Sequence, residues 1–244
     1  MKSVVTVFKR ELGSYFSTPI AYVFIVIFLV ASGWFTFFFG FLYERRLADL
    51  QPFFRWHPWL FLILVPALSM RLWAEERKSG SIELLFTLPI EIWQAVLGKF
   101  LAAWAFTGIA IALTFPIWIT VTYLGDPDNG VIFATYIGSF LMAGSYLALG
   151  SLISATTKNQ VIAFIISVLL ALVFTVAGYD PVLNLLSLLP QWFRDAVASF
   201  GFLTHFENTI SKGVIDLRDL VYFGLLIATC LYANTIVLHL KKAD

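Results

Sequence analysis

The sequence predicts an all-α, polytopic membrane bundle, and three observations support this fold class. Of the 244 residues, 60% are hydrophobic and 13% are charged, which is about half the charged fraction of a typical soluble domain. Six apolar runs follow one another along the chain, and most reach the roughly 20 residues of helix that cross a bilayer. Each run should be helical, because a lone strand leaves its backbone groups unpaired in hydrocarbon.

The six predicted transmembrane helices follow one another so closely that we expect a single transmembrane domain over residues 1–244. The runs are 20–43, 58–73, 100–124, 131–154, 161–178 and 220–240. Apart from Arg71, which closes the second run, they contain no Asp, Glu, Lys or Arg. Ion-coupled transporters and channels with charged rings use such groups within the membrane, so the sequence disfavours both classes.

The positive charges orient the predicted bundle. With a cytoplasmic N-terminus, the inner segments hold ten Lys and Arg residues and the outer segments hold six. Because Lys and Arg accumulate on the cytoplasmic side, both termini are expected there.

Residues 1–19 predict an N-terminal helix that lies in the membrane interface. Six apolar side chains recur at helical spacing, as expected for one face in lipid: Val4, Val7, Phe8, Leu12, Tyr15 and Phe16. Pro19 stands where the chain would bend into the first span.

The predicted cytoplasmic loop 74–98 contains a short helix with an apolar face. Ser79, Gly80 and Ser81 supply cap chemistry for its start, Glu83 suits the positive end of its dipole, and Pro89 closes it. The apolar face consists of Leu84, Leu85 and Leu88. Such a face should be covered, either by a partner protein or by the bundle and the lipid surface.

The external segment 179–219 is too interrupted to span. It predicts one or two short helices at the outer interface, which pack on the bundle and lipid or serve as a lid or a docking site. Within the fourth span, small residues at a four-residue step favour close helix packing, inside the chain or against a second subunit. The predicted packing positions are Gly138, Gly144, Ala148 and Gly150.

Several catalytic motifs are missing from the sequence. It contains no Gly-x-x-x-x-Gly-Lys-Ser/Thr phosphate loop, so the chain should not hydrolyse ATP itself. It also lacks a His-Glu-x-x-His motif and a Gly-x-Ser-x-Gly elbow, and its single cysteine, Cys230, cannot form an internal disulfide. We therefore expect a non-catalytic chain that binds no cofactor or metal.

Two segments carry a resemblance to a known family. The loop resembles the Glu-x-x-x-Gly-Thr-x-Glu-x-Leu-x-x-x-Pro pattern of type-2 ATP-binding-cassette (ABC) exporter permeases, most closely the gliding-motility (Gld) permease group. The matching positions are Glu76, Gly80, Glu83, Leu85 and Pro89, with Ser81 where the family usually has Thr. The N-terminal Phe-Lys-Arg-Glu-Leu-x-x-Tyr-Phe-x-x-Pro segment is similar as well, and the resemblance extends over the whole chain.

The resemblance implies a coupling helix that binds a cytosolic ATPase. The ATPase-coupling residues would be Glu76, Ser79, Gly80, Ser81, Glu83, Leu84, Leu85, Leu88 and Pro89, with further contacts from Lys9, Arg10 and Glu11. ATP and Mg²⁺ would bind the ATPase dimer. The permease would pair with a second copy or with a related membrane subunit that carries a large external domain. The complex would lie in the bacterial inner membrane, and no nucleic-acid partner is expected.

Three functions remain open at this point. The first is an exporter permease that moves a substrate out of the cytoplasm or inner membrane. The second is a mechanotransmitting scaffold that passes ATPase motion to an outer partner without moving substrate, which the scarcity of polar groups in the spans favours. The third, a membrane-embedded enzyme, has no acid–base or metal constellation to support it.

Overall fold

The computed structural model describes residues 2–45, 47–87 and 89–241, without the side chains of residues 85 and 86. It is 82% helical and has no strands among these residues. The predicted all-α polytopic bundle is therefore confirmed.

Fourteen α-helices occur in the described ranges, together with a π-helix, Phe35–Phe39, and a 3-10 helix, Ile210–Lys212. The α-helices are α1 Lys2–Ser17, α2 Pro19–Trp34, α3 Gln51–Phe54, α4 His57–Ser69, α5 Arg71–Ser79, α6 Ser81–Thr87, α7 Ile92–Ala112, α8 Phe115–Leu124, α9 Asn129–Thr156, α10 Gln160–Val176, α11 Asp180–Leu185, α12 Gln191–Ser199, α13 Phe202–Asn208 and α14 Leu217–Leu240.

Five helical stretches of the described chain are long and apolar enough to cross a membrane. They are Pro19–Phe39, Gln51–Ser79, Ile92–Leu124, Asn129–Thr156 and Leu217–Leu240. The predicted span 161–178 corresponds to α10, an apolar helix of 17 residues. At 1.5 Å per residue α10 is about 26 Å long, slightly less than the roughly 30 Å hydrocarbon core, so a sixth crossing remains a prediction.

Helix α9 forms the centre of the bundle. It packs against α4, α5, α7, α10 and α14, and most of its residues from Gly138 to Ala155 are buried. Small side chains make this close packing possible, since they let neighbouring helix backbones approach.

The bundle has two distinguishable ends. At one end α1 lies beside the start of α7, where Lys99 pairs with Glu11, and Lys241 donates a hydrogen bond to the carbonyl of Thr156 at the end of α9. We call this the basal end. The opposite end, called the distal end, contains the start of α9 and the 3-10 helix, where Thr135 donates to the carbonyl of Ile210.

The apolar stripe of α1 faces protein rather than lipid at several positions. Val7 is buried against the backbone of Gly98, where an added Cβ would lie 2.8 Å from the Cβ of Val7. The ring of Tyr15 stacks on that of Phe106 with centroids 5.0 Å apart. The sequence predicted that this face lies in lipid. In the structure α7 covers part of it, with Gly98 against Val7 and Phe106 against Tyr15.

Residues 179–219 fold into three short α-helices and the 3-10 helix, where the sequence predicted one or two helices. Helices α11 and α12 contain no buried residue. Helix α13, in contrast, is anchored in the bundle, since Phe202 and Phe206 are fully buried.

The helices extend further than the predicted spans. Helix α7 begins at Ile92, so it includes Lys99, and α14 begins at Leu217, so it includes Asp219. The predicted loop 74–98 is correspondingly shorter, because its first residues belong to α5 and its last to α7. The sequence ended its spans at charges, whereas the structure continues the helices through charges that are paired.

The close contact of α9 with α4 predicts that Gly150→Ala is destabilising. An added Cβ at Gly150 would meet the side chain of Ser69, with its Cβ only 2.8 Å away. Overpacking of this kind costs about 1–3 kcal/mol. Thermal unfolding in detergent can be followed by labelling of Cys230, the single cysteine in the sequence, which is buried.

Gly224→Ala in α14 is the matched control, because an added Cβ there meets nothing within 4 Å. Its unfolding midpoint should stay at or slightly above that of the wild type, since Ala is the better helix former. Equal midpoints for the Gly150 and Gly224 variants would contradict the proposed close packing.

Candidate functional site

The segment that follows α5 changes direction at one residue. Gly80 has a φ of 76°, in the left-handed region, and it ends α5. Other residues adopt this conformation at a cost of roughly 1–2 kcal/mol. The Ser79 and Ser81 hydroxyls lie 2.9 Å apart on either side of Gly80, and the Glu83 amide donates to the carbonyl of Gly80. Helix α6 then begins at Ser81, as the Ser-Gly-Ser group predicted.

Helix α6 has an inner and an outer side. Ile82 packs against the hydrophobic core, whereas Glu83 is exposed and Leu84 is 70% exposed. The helix ends at Thr87, two residues before the exposed Pro89. The predicted residue Leu88 lies outside the described residues, as does the side chain of Leu85. The described part of the chain therefore leaves Leu84 largely uncovered.

Glu76 has a different position from the rest of the predicted coupling set. Its Oε1 lies 2.7 Å from the Nζ of Lys99, and its side chain is only 22% exposed. Its second oxygen, Oε2, is buried without a hydrogen-bond partner among the described residues. Glu76 therefore faces the bundle, while Ser79, Gly80, Ser81 and Glu83 are exposed.

Lys99 is the centre of a buried ion cluster. Its side chain is 4% exposed, and its Nζ also lies 3.2 Å from the Oε1 of Glu11. The same ammonium lies 5.4 Å from the ring centroid of Trp73, a distance suited to a cation–π interaction. Lys99 thus joins three helices, α1 through Glu11, α5 through Glu76 and Trp73, and its own helix α7.

Three residues of α1 were predicted to contact an ATPase, and the structure separates them. Lys9 and Arg10 are exposed, and Arg10 donates to the Oε1 of Glu11 at 2.6 Å. Glu11 faces inward. Burial alone would raise the pKa of Glu11, but the positive charges of Lys99 and Arg10 outweigh it, so this pKa lies below its ordinary value.

Helix α5 is attached to α9 through hydroxyl groups. The Ser154 hydroxyl accepts hydrogen bonds from the backbone amides of Trp73 and Ala74 at 3.1 Å and donates to the carbonyl of Met70. These backbone groups lie at and just after the break between α4 and α5. The Ser154 side chain alone therefore bonds three backbone polar groups near this break. Arg77 adds a bond from its guanidinium to the carbonyl of Ala155.

The attachment continues into α14. The indole of Trp73 donates to the Ser151 hydroxyl at 3.2 Å, and the Asn234 amide donates to the same hydroxyl at 2.8 Å. All three side chains are buried. Buried polar groups in membrane bundles bond across helices in this way, and here they connect α5, α9 and α14.

The predicted packing positions on α9 are all buried. An added Cβ at Gly138 would meet Ile210 of the 3-10 helix, and one at Gly144 would lie 2.7 Å from the indole nitrogen of Trp104 on α7. At Gly150 the neighbour is Ser69 on α4, and Ala148 is fully buried in the core. Each of the three glycines therefore faces an element of the same chain.

A second buried polar cluster lies at the distal end. The Nδ1 of His205 is 2.6 Å from the Oδ1 of Asp219, and its Nε2 donates to the carbonyl of Ser199 at 3.0 Å. Thr209 donates to the other carboxylate oxygen of Asp219, and the ring of Tyr222 stacks on His205 with centroids 4.0 Å apart. The sequence suggested no partner for this histidine, because 14 residues separate it from Asp219.

Lys99 is the main residue that the sequence analysis missed. Its ion partners lie 88 positions before it in α1 and 23 positions before it in α5, so no local motif connects them. A weak signal does exist. Val96, Lys99, Phe100 and Ala103 follow helical spacing and are all buried, so a helix that started earlier would have placed Lys99 on its inner face.

The described residues contain no group of three or more His, Cys, Asp or Glu side chains that could hold a metal ion. The basal end instead combines an exposed short helix with a buried ion cluster.

The fold defines a multi-pass membrane protein. A family model described as an ABC-2 family transporter protein matches residues 57–191, more than half of the chain. The chain belongs to this family, as a transmembrane permease subunit of an ABC transporter. The match includes α6 but neither α1 nor α14. No curated protein matches the chain.

Membership of the family defines the general role of the chain. An ABC-2 permease domain is a membrane component that is typically non-catalytic, and it works with an ABC ATPase.

The ion cluster predicts a pH-dependent contribution of Glu11 to stability. Because the folded-state pKa of Glu11 is lowered, its stabilisation is fully present above the unfolded value of about 4.3 and is lost as the pH falls through the folded pKa. Glu11→Gln should lower stability at neutral pH by about 1.5–3 kcal/mol, the range for hydrogen bonds to charged groups. Below the ordinary glutamate range the two proteins should converge.

Thermal unfolding of both proteins across this pH range checks the prediction. Glu44→Gln is the control, because Glu44 is exposed and should show no such difference at any pH. A Glu11→Gln deficit that persists unchanged at acidic pH would contradict the charge-based account.

Proposed function

We propose that this chain is the permease subunit of a type-2 ABC exporter of the gliding-motility (Gld) group. The supporting observation is α6, which carries the family-like segment to the basal end with Glu83 and Leu84 exposed. In this proposal α6 is the coupling helix, and it binds a groove of the ATPase.

The proposed membrane is the bacterial inner membrane, with both termini in the cytoplasm. Two features support this orientation. Helices α1 and α6 lie at the basal end together with Lys241. The Lys and Arg count favours that end as the cytoplasmic one. The ATPase dimer, with its ATP and Mg²⁺, would then lie directly below α6.

The proposed cycle converts ATPase closure into movement of the helices. ATP binding draws the two ATPase subunits together, and each subunit carries its coupling helix with it. The permease shifts between two states because the ATPase contacts differ between them. A second permease copy, or a related subunit with a large external domain, would complete the transporter, and substrate would move outward.

A mechanotransmitting scaffold is the second candidate function. The observation that favours it is the pairing of buried polar side chains inside this chain. Ser139 bonds His57, and Tyr146 bonds Thr175. Hydroxyls used for internal bonds are not available to line a polar path, so motion could pass through these helices without any cargo.

Reconstituted liposomes separate the two candidates. An exporter complex should raise its ATP hydrolysis when its cargo is added. A scaffold complex should respond to its outer partner alone. Copurification from native membranes in mild detergent, with mass identification, supplies the ATPase and any second membrane subunit for this comparison.

The coupling-helix assignment predicts the effect of Glu83→Arg and Leu84→Asp. Each should strongly reduce copurification of the ATPase, because the first reverses an exposed charge and the second removes an exposed apolar contact. Neither should change the unfolding midpoint measurably, since substitutions at exposed positions usually stay within about 0.5 kcal/mol.

The matched controls lie at the distal end. Glu44→Arg and Leu47→Asp make the same chemical changes at positions that are also exposed, and both should retain the ATPase. If the two α6 variants copurify with the ATPase at wild-type levels, α6 is not the docking element.

A further inference from the structure

Lys99 occupies a junction that the coupling-helix assignment does not explain. One ammonium group lies within 3.2 Å of carboxylates from two other helices, Glu11 of α1 and Glu76 of α5. Glu76 is four residues before the left-handed Gly80 that starts the turn into α6. The junction is therefore close to the element that would contact the ATPase.

The charges of the junction depend on one another. The Lys99 side chain is 4% exposed, and those of Glu11 and Glu76 are 17% and 22% exposed. Arg10 lies at the outer edge, bonded to Glu11. Removing one partner from a buried ion pair leaves an uncompensated charge and is strongly destabilising. Without Lys99, two carboxylates from different helices would face each other at this site.

The position of Glu11 and Glu76 argues against a direct role for them in ATPase contact. Their carboxylates point at Lys99, and Trp73 lies beneath the same ammonium. The neighbouring Lys9 and Arg10 remain exposed on the outer side of α1. Glu11 and Glu76 are thus paired inside the permease, whereas Lys9 and Arg10 are exposed where a partner could contact them.

We infer that Lys99 is a positioning residue that holds α1 and α5 together, so that a movement of the coupling helix α6 also moves α1. The inference rests on the proposed function, because it takes α6 as the element that the ATPase moves. It assigns Glu11 and Glu76 to this internal connection rather than to the ATPase interface.

The backbone attachments of α5 support this assignment. Trp73 and Ala74 are bonded to Ser154 of α9, and Arg77 is bonded to the end of α9. Helix α5 is therefore fixed by its contacts with α9, and α6 follows directly after α5. Lys99 connects α5 to α1 through its ion pairs. The packing of Val7 against Gly98 adds a contact between α1 and α7.

Stability measurements test the ion cluster itself. Lys99→Met should lower the unfolding midpoint, because it removes the ammonium that two partly buried carboxylates share, although Glu11 keeps its pair with Arg10. The triple variant Lys99→Met, Glu11→Gln, Glu76→Gln carries no net charge at the three positions and should recover most of the loss. Lys212→Met is the matched control, since Lys212 is exposed at the distal end. A Lys99→Met protein as stable as this control would overturn the inference.

Hydrogen–deuterium exchange tests the transmission of movement. In the wild-type complex with its ATPase, a non-hydrolysable ATP analogue should change deuterium uptake in both α6 and α1. In the complex of the folded triple variant, the change in α6 should remain and the change in α1 should be lost. A purely structural role for Lys99 would not produce this difference once folding is restored.

Three results would overturn the inference. In the first, α1 of the triple variant responds to nucleotide as it does in the wild type. In the second, the wild-type complex shows a change in α6 alone. In the third, the folded triple variant no longer retains the ATPase, which would make Glu11 and Glu76 ATPase contacts. Failure of the proposed function looks different, since no ATPase would copurify with the wild-type chain.

Discussion

The architecture depends on a constraint of the hydrocarbon core: helices there gain little from burying apolar side chains, because lipid is equally apolar. They must be held by close contact and by hydrogen bonds between helices. Helix α9 supplies both. Its glycines admit Ile210, Trp104 and Ser69, while its hydroxyls serve groups on α4, α5 and α14. The remaining helices are arranged around this one surface.

The basal end combines a fixed element with an exposed one. Helix α5 is bonded to α9 along one side and to Lys99 on another, whereas α6 packs Ile82 against the core and presents Leu84 outward. The proposed coupling role requires exposed groups that contact the ATPase and fixed contacts that transmit its movement. The turn at Gly80 separates the two requirements within a few residues.

The sequence predicted the fold class, the central spans and the start of α6, because each depends on local information: hydropathy, length and cap residues. It could not predict the ion cluster. Lys99 and Asp219 each stand one residue before a predicted span, and a charge next to an apolar run normally marks its end. Their partners come from other helices, so only the folded chain shows that these charges are paired and that the helices continue through them.

The length of α10 has a consequence for the surrounding bilayer. If this 17-residue helix crosses the membrane, its roughly 26 Å are a few ångströms short of an average hydrocarbon core. Its exposed face, which includes Ile165, Leu169 and Val173, offers apolar contact over that shorter distance. Lipids next to a short span thin to match it at a modest cost. The membrane beside α10 would then be locally thinned, and the protein would be surrounded by an uneven annulus of lipid.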